Sequence, residues 1–253
     1  MMKTKANKLT KQTETVPVVM IRHAQSQWNK ENRFTGWADP PLTDAGVAEA
    51  KRAGDCLQRL GYHFDAAYSS VLQRACVTLD IVLGSLGQLD LLQQRDWCLN
   101  ERHYGALQGL DKTETTARYG EAQVHRWRRG YLDRAEPLSR DDQGHPLHDP
   151  RYAEVDPAML PDVENLAETR ARVVDFWQEQ IVPRIRRAER ILISAHGNTL
   201  RALIMELAGM SEQEVEQFEI PTGKPILYEF LRQDAKPLGW RYLADCAEQK
   251  RSA

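Results

Sequence analysis

Two predominantly apolar runs, "VPVVMI" at 16–21 and "RILISA" at 190–195, frame this chain. A β-branched run of that kind suits a strand buried on both faces, as in a parallel sheet. Both runs end abruptly in chemistry: Arg22 and His23 follow the first, and His196 follows the second. "DAAYSS" (65–70) and "PILYEFL" (225–231) read as further strands, and "RDWCL" (95–99) is strand-like. Between them the period lengthens to that of helices. "VAEAKRAGDCLQRLG" (47–61) puts Val47, Ala50, Gly54 and Leu57 on one face, with Thr43 as N-cap and Gly61 as stop. Ser70 is placed to cap a helix running through Leu86. Residues 166–182 form another helix with Leu166, Val173, Val174, Trp177 and Ile181 inward, ended by Pro183. "NTLRALIMELAG" (198–209) carries Leu200, Leu203, Ile204 and Leu207 on one face, and "SEQE" at 211–214 is a capping box. Strands alternating with helices predict an α/β fold whose mostly parallel sheet is covered on both faces. From about 111 to 165 the pattern dissolves into polar, proline-containing sequence, the mark of a lid-like functional insertion.

Composition adds bounds. The chain has 253 residues, 42% hydrophobic and 28% charged, with a net charge of -2. These values fit one soluble domain at 16–245, after a disordered extension at 1–15 and before a short tail at 246–253. They give no reason to expect a nucleic-acid partner. No apolar run approaches the roughly 20 residues that span a bilayer, and the one behind the N-terminal lysines is too short for a signal-peptide core. Cys56, Cys76, Cys98 and Cys246 are scattered without a CxxC pair, so neither zinc nor a disulfide framework is indicated, and a reducing cytoplasm fits. Neither a Walker A loop nor GxGxxG occurs, which leaves any phosphate to be handled by side chains.

In open α/β sheets ligands gather beyond the carboxyl ends of the strands, where the two apolar runs place Arg22, His23 and His196. Each histidine alone is compatible with a structural hydrogen-bonder. Together they suit phosphoryl transfer: a neutral imidazole attacks phosphorus while an arginine and a second, protonated histidine hold the equatorial oxygens. Gly197 and Asn198 open a helix whose free N–H groups favour an anion. Arg74 is either a third phosphate ligand or a solvated surface arginine. Glu101, in "NERHYG", is either a proton shuttle or an ion-pair partner of Arg102. Arg126, Arg128 and Arg129 in "HRWRRGY" fit a solvated helix face, a minor nucleic-acid patch, or a bidentate grip on a substrate carboxylate. "HPLH" at 145–148 lies in a loop without other obvious ligands and is a poor metal site.

The motifs "RHAQSQWNKENRFTGW", "NERHYGALQGL", "WRRGY", "ISAHGNTLRAL" and "IPTGKPI" stand in the order seen in cofactor-dependent phosphoglycerate mutases, and over about residues 16 to 245 the chain resembles that family. The resemblance implies the three-layer α/β/α sandwich of the histidine phosphatase superfamily. It implies the glycolytic and gluconeogenic interconversion of 3-phosphoglycerate and 2-phosphoglycerate through a phosphohistidine. The primer and intermediate would be 2,3-bisphosphoglycerate, no metal would be needed, and the chain would form a homo-oligomer, dimer or tetramer. It assigns His23 as nucleophile, Glu101 as proton donor and acceptor, and Arg22, Arg74 and His196 as the groups around the phosphoryl. Asn29, Gly197 and Asn198 would add hydrogen bonds, Thr35 and Gly36 backbone contacts, and Tyr104, Lys112, Arg128 and Arg129 would bind the carboxylate or second phosphate. There are departures. Ala24 and Gln25 replace the usual Gly-Glu after the first histidine, which predicts a restricted backbone if position 24 needs positive φ, and a missing negative charge beside the phosphate. Glu164 is kept within "ENL", Lys224 stands where an apolar residue is usual, and the tail "DCAEQKRSA" is short, which would leave the site more open to water. A relative biased towards bisphosphoglycerate synthesis or phosphatase action is the near alternative. A non-catalytic phosphometabolite-binding protein is the distant one.

Overall fold

The computed structural model describes residues 14–243, so the expectations for residues 1–13 and for the tail from 244 onward lie outside the described residues. Six strands, β1 (Thr15–Arg22), β2 (Ala66–Ser69), β3 (Gln93–Arg95), β4 (Ile191–Ala195), β5 (Pro225–Leu231) and β6 (Pro237–Tyr242), form one sheet in the order β3-β2-β4-β1-β5-β6. The first four in that order run parallel, and β5 and β6 pair antiparallel at one edge. Thr15, expected in the extension, already pairs with Leu231, and Arg22 is still in register with Ala195.

Alternation along β1 sorts the core. Val19 and Ile21 face α2 (Asp44–Arg59) and α3 (Gln73–Leu86), meeting Ala53, Leu57, Leu79 and Val82. Val16, Val18 and Met20 face α6 (Leu166–Phe176) and α8 (Gly197–Ala208), meeting Val173, Phe176 and Leu203. The result is a three-layer α/β/α sandwich, and each Val, Ile or Leu so buried contributes about 1.5–3 kcal/mol.

Thr43 caps α2 by accepting from the Gly46 N–H at 3.0 Å. The expected inward face holds at Ala50, Gly54 and Leu57, but Val47 lies at its edge and is 44% exposed. Gly54 is required by close approach, because a Cβ there would stand 2.6 Å from Ser85 Cβ on α3.

Four expectations are corrected. Ser70 is not the cap of α3, which begins after Leu72; its Oγ accepts from the Leu72 N–H at 3.2 Å and bonds His196 at 2.7 Å. Pro183 does not end the helix begun at Leu166. The chain widens into a π-type turn at Trp177–Ile181 and continues as α7 (Val182–Arg186), with Pro183 in a first turn that has no use for its missing N–H. Of "RDWCL" only Arg95 is strand; Asp96 accepts from the Cys98 N–H at 2.8 Å and folds Trp97–Leu99 into a 3-10 turn, which swings Glu101 over the sheet edge. The insertion at 111–165 holds two helices, α4 (Lys112–Tyr119) and α5 (Glu121–Arg129), and the 3-10 turns Pro146–His148 and Pro150–Tyr152. Only Thr115 in α4 and Val124 in α5 are buried, so neither helix shows an apolar stripe in the sequence. Short helices α1 (Gln27–Lys30) and α9 (Glu212–Gln217) complete the set, the second opened by the predicted Ser211 capping box. Among the described residues no helix is long and apolar enough to cross a membrane.

Candidate active site

Neighbouring parallel strands β1 and β4 end side by side, and the His23 N–H donates to the Ala195 carbonyl at 2.9 Å. This pairing brings the His23 and His196 rings to a centroid distance of 4.9 Å. The His23 ring has a defined tautomer. Its Nδ1 lies 2.8 Å from the Ala24 carbonyl, which can only accept, and its Nε2 lies 3.3 Å from Arg74 Nε, which can only donate. The proton therefore sits on Nδ1 and Nε2 presents a lone pair. Burial, then the charges of Arg74 and Arg22, hold His23 well below its ordinary 6.5, so the ring is neutral. His196 shares a 2.7 Å hydrogen bond with Ser70 through Nε2, while its buried Nδ1 has no partner. It was expected to be protonated. Burial, followed by the charges of Arg74, His23, Arg172 and Arg22, instead pushes it well below 6.5 in the free protein.

Arg74 is no surface residue. It is 1% exposed, gives its terminal nitrogens to the Ala38 and Gly36 carbonyls at 2.8 Å each, and burial lowers it only to about 10, which leaves it charged. Gly36 bends there with φ +54, and a Cβ would collide with the Gln108 amide. Arg22 donates to the Ile220 carbonyl at 2.6 Å, and its buried Nε is unpartnered. Glu101 does not pair with the Arg102 guanidinium. One carboxylate oxygen accepts from the backbone N–H groups of Arg102 (2.9 Å) and Asn198 (3.0 Å), leaving Oε2 free on the side of Gly197.

The cleft above these groups has an empty volume of about 650 Å³, open mouth included. The other predicted residues, Asn29, Thr35, Gly36, Tyr104, Lys112, Arg128, Arg129, Gly197 and Asn198, all line it with Arg22, His23, Arg74 and Glu101; His196 is fully buried against His23. Asn29 closes the capping box of α1 with Ser26. Lys112 donates to the Arg33 carbonyl at 2.7 Å, and burial lowers its pKa. Burial would raise the Tyr104 phenol, but Arg102 and Asn198 donate to its oxygen at 3.1 and 3.2 Å, and its pKa ends below the ordinary value. Arg126 stays outside the cleft, paired with Asp133.

Sequence reading missed Arg33, Arg201 and Glu219 in the lining. Arg201 is 2% exposed and donates to Asn198 Oδ1 at 2.9 Å, an i,i+3 pair along α8 that the spacing could have revealed. Glu219 carries no such local signal. Also missed was the buried pair Glu164–Arg172, in which Arg172 donates at 2.7 and 2.8 Å to the carboxylate and caps the carbonyls of Cys98, Asn100 and Glu101.

Neither Ala24 nor Gln25 lines the cleft. Ala24 has no positive φ, and the Gln25 side chain turns away to accept from the Thr43 hydroxyl at 2.8 Å. Lys224 lines a separate hollow with Glu49, Arg52 and Cys56. The "HPLH" histidines are occupied elsewhere: His145 with Asp162 and the Leu147 N–H, His148 with the Arg140 carbonyl.

Three buried neutral histidines have a consequence for stability. His23 and His196 lie well below 6.5, and His103, desolvated beside the cleft wall, is pushed down to about 4. Each takes up a proton on unfolding below pH 6.5 but stays neutral while folded. Stability is therefore full above that pH and falls as pH drops towards the folded values, by up to about 1.4 kcal/mol per pH unit for each ring. Urea titrations between pH 7 and 5 should show the midpoint falling; a flat midpoint would contradict the neutral assignments.

Seven cationic side chains against two carboxylates line a cleft in a chain of net charge -2, so the positive field is local and the site is built for anions. The sequence profile of the histidine phosphatase superfamily (branch 1) matches residues 18–145 and 139–241. Among solved structures, the fold is similar to YhfR of Bacillus stearothermophilus (24% identity, TM-score 0.65, covering 85% of this chain and 91% of that one). It is similar to a mycobacterial glucosyl-3-phosphoglycerate phosphatase (20% identity, TM-score 0.64, 90% and 97%). It is also similar to phosphoglycerate mutase from Bacillus anthracis (20% identity, TM-score 0.63, 91% and 92%). With two histidines, the buried Arg74 and the half-buried Arg22 gathered where the parallel strands end, and a profile spanning nearly all of the described chain, this protein is a phosphoryl-transfer enzyme that belongs to the histidine phosphatase superfamily, branch 1.

Proposed function

We propose that the enzyme interconverts 3-phosphoglycerate and 2-phosphoglycerate through phosphorylated His23, primed by 2,3-bisphosphoglycerate. The observation that carries this reading is the presence of two anion-binding poles in one small cleft. One gathers Arg22, His23 and Arg74, with the His196 ring packed against His23; the other holds Lys112, Arg128, Arg129 and Arg201. A compact molecule with a phosphoryl group at one end and a carboxylate or second phosphate at the other satisfies both. The unpartnered Nδ1 of His196 and Nε of Arg22 fit the oxygens of such a phosphoryl group, since a buried polar atom left without a partner is costly.

In the priming step, the His23 Nε2 lone pair forms the N–P bond as a P–O ester bond of 2,3-bisphosphoglycerate breaks, and Glu101 protonates the departing alkoxide from Oε2. In the transfer step, Glu101 takes the proton from the free hydroxyl of bound 3-phosphoglycerate as its oxygen attacks phosphorus and the N–P bond breaks; the bisphosphate so formed gives its other phosphoryl group back to His23 and leaves as 2-phosphoglycerate. Arg22 and Arg74 hold the equatorial oxygens throughout as cations and do the neutralising that a metal does elsewhere, with the neutral His196 adding a hydrogen bond.

A coupled assay with and without 2,3-bisphosphoglycerate tests this. Isomerisation that depends on the bisphosphate supports it, and so does acid-labile phosphate on His23. Release of inorganic phosphate without isomerisation would convert the reading into a phosphatase, and no covalent phosphate would reduce it to a binding protein.

A further inference from the structure

Glu219 is out of place in chemical terms. It lies between α9 and β5 and lines the mouth of the cleft at the distal pole, where its neighbours are cations. Its carboxylate pairs with the Arg129 guanidinium at the C-terminal end of α5. The backbone around it is fixed: the Glu219 carbonyl accepts from the Tyr242 hydroxyl at 3.1 Å, the Ile220 carbonyl from Arg22 at 2.6 Å, and the Gly223 N–H donates to the Arg22 carbonyl at 3.0 Å. The carboxylate is therefore aimed at Arg129 by a frame tied to the phosphoryl pocket itself. Its side chain is 67% exposed while that of Arg129 is 19% exposed, so the acid can swing into solvent and leave the cation behind in the cleft.

We infer that Glu219 is a specificity-determining residue, an internal competitor that occupies Arg129 until the distal anion of the substrate displaces it. This rests on the reading of the cleft as a phosphoglycerate site with a distal anion pole. Every ligand that uses Arg129 first breaks the Glu219 pair, and it then sits near the carboxylate it displaced. The first cost falls on every ligand that engages Arg129 and not on one without a distal anion, and the second grows with the negative charge of the distal group. Glu219 thus weakens retention of a bisphosphate more than that of a phosphate-carboxylate, and favours release of the more highly charged species.

The test is Glu219→Gln, which keeps shape and removes charge, compared with the unaltered enzyme by calorimetric titration with 2,3-bisphosphoglycerate, 3-phosphoglycerate and an aryl phosphate that has no distal anion. Affinity is expected to rise about three- to fivefold for the bisphosphate, the range of an exposed ion pair. The gain should shrink for phosphoglycerate, be smallest for the aryl phosphate, and fade at high salt. In an Arg129→Gln background the Glu219→Gln gain should shrink to the part due to repulsion of the distal anion, because the competed cation is gone. Equal gains for all three ligands, or a gain undiminished by loss of Arg129, would overturn the inference. If the unaltered enzyme fails to isomerise phosphoglycerate while the graded gain persists, the functional reading falls and the role of Glu219 stands. If isomerisation is present without a gradient, the reverse holds.

Discussion

Replacing His23 by alanine is expected to lower phosphoryl transfer by a factor on the order of 10⁴ to 10⁶ and to eliminate acid-labile phosphate on the protein, because no other residue lining the cleft offers a neutral imidazole nitrogen. His196 is the alternative nucleophile by residue type. Its Nε2 is occupied by Ser70 at 2.7 Å, and it is fully buried against His23. Arg22 and Arg74 are charged donors without a lone pair to give. The fold should survive the change. Arg74 keeps its bonds to the Gly36 and Ala38 carbonyls, and the His23 N–H still donates to Ala195. Removing the ring also removes one neutral histidine from the acid-side loss of stability, so the pH dependence of the urea midpoint should flatten by about one ring's share. A variant that retains more than about a hundredth of the activity would move the nucleophile elsewhere; a variant that unfolds would show it in the same titration.

Legibility in the sequence followed the range of the interactions. Strands β1 and β4 were plain because burial on both faces makes them continuously apolar, and the histidines at their ends were plain because strand order places ligands there. Thr43 and Ser211 were readable as caps because a cap needs only three residues of context. Elements stabilised by distant partners were misread. Ser70 looked like the cap of α3, yet its hydroxyl bonds His196, 126 residues on. The π-type turn at Trp177–Ile181 has no local signature that separates it from an ordinary helix stopped by proline. In α4 and α5, most of whose residues stay exposed, the period was too weak to see, although their cleft-facing residues Lys112, Arg128 and Arg129 were found through resemblance. Arg74 was ambiguous because only its environment distinguishes a surface arginine from a buried one, and that environment is supplied by the carbonyls of Gly36 and Ala38. The charge state of His196 was beyond the sequence for the same reason: it follows from burial among four cationic or imidazole neighbours contributed by separate segments.

Replacing Arg172 by methionine should cost about 3–5 kcal/mol of stability, and it should lower kcat far more than it changes KM. Glu164 is buried and Arg172 nearly so; this opposes both charges, yet their mutual attraction leaves the arginine pKa raised and the carboxylate pKa lowered. Removing one partner leaves the other charge uncompensated, which is the expensive half of such a pair. The catalytic consequence comes from the other face of the guanidinium, which donates to the carbonyls of Cys98 at 2.7 Å and of Asn100 and Glu101 at 3.0 Å each. These bonds hold the backbone from which the Glu101 carboxylate reaches the cleft, assisted by the Trp37 indole donating to the Glu101 carbonyl at 2.6 Å. Arg172 is thus a positioning residue, and its effect passes through Glu101. Two measurements separate this from simple loss of fold. Combining Arg172→Met with Glu164→Gln should recover most of the stability, since no charge is then stranded, but little of the activity, since the carbonyls remain uncapped. In a Glu101→Gln background, Arg172→Met should have little further effect on kcat. Recovery of activity together with stability would show that Glu101 is positioned without Arg172.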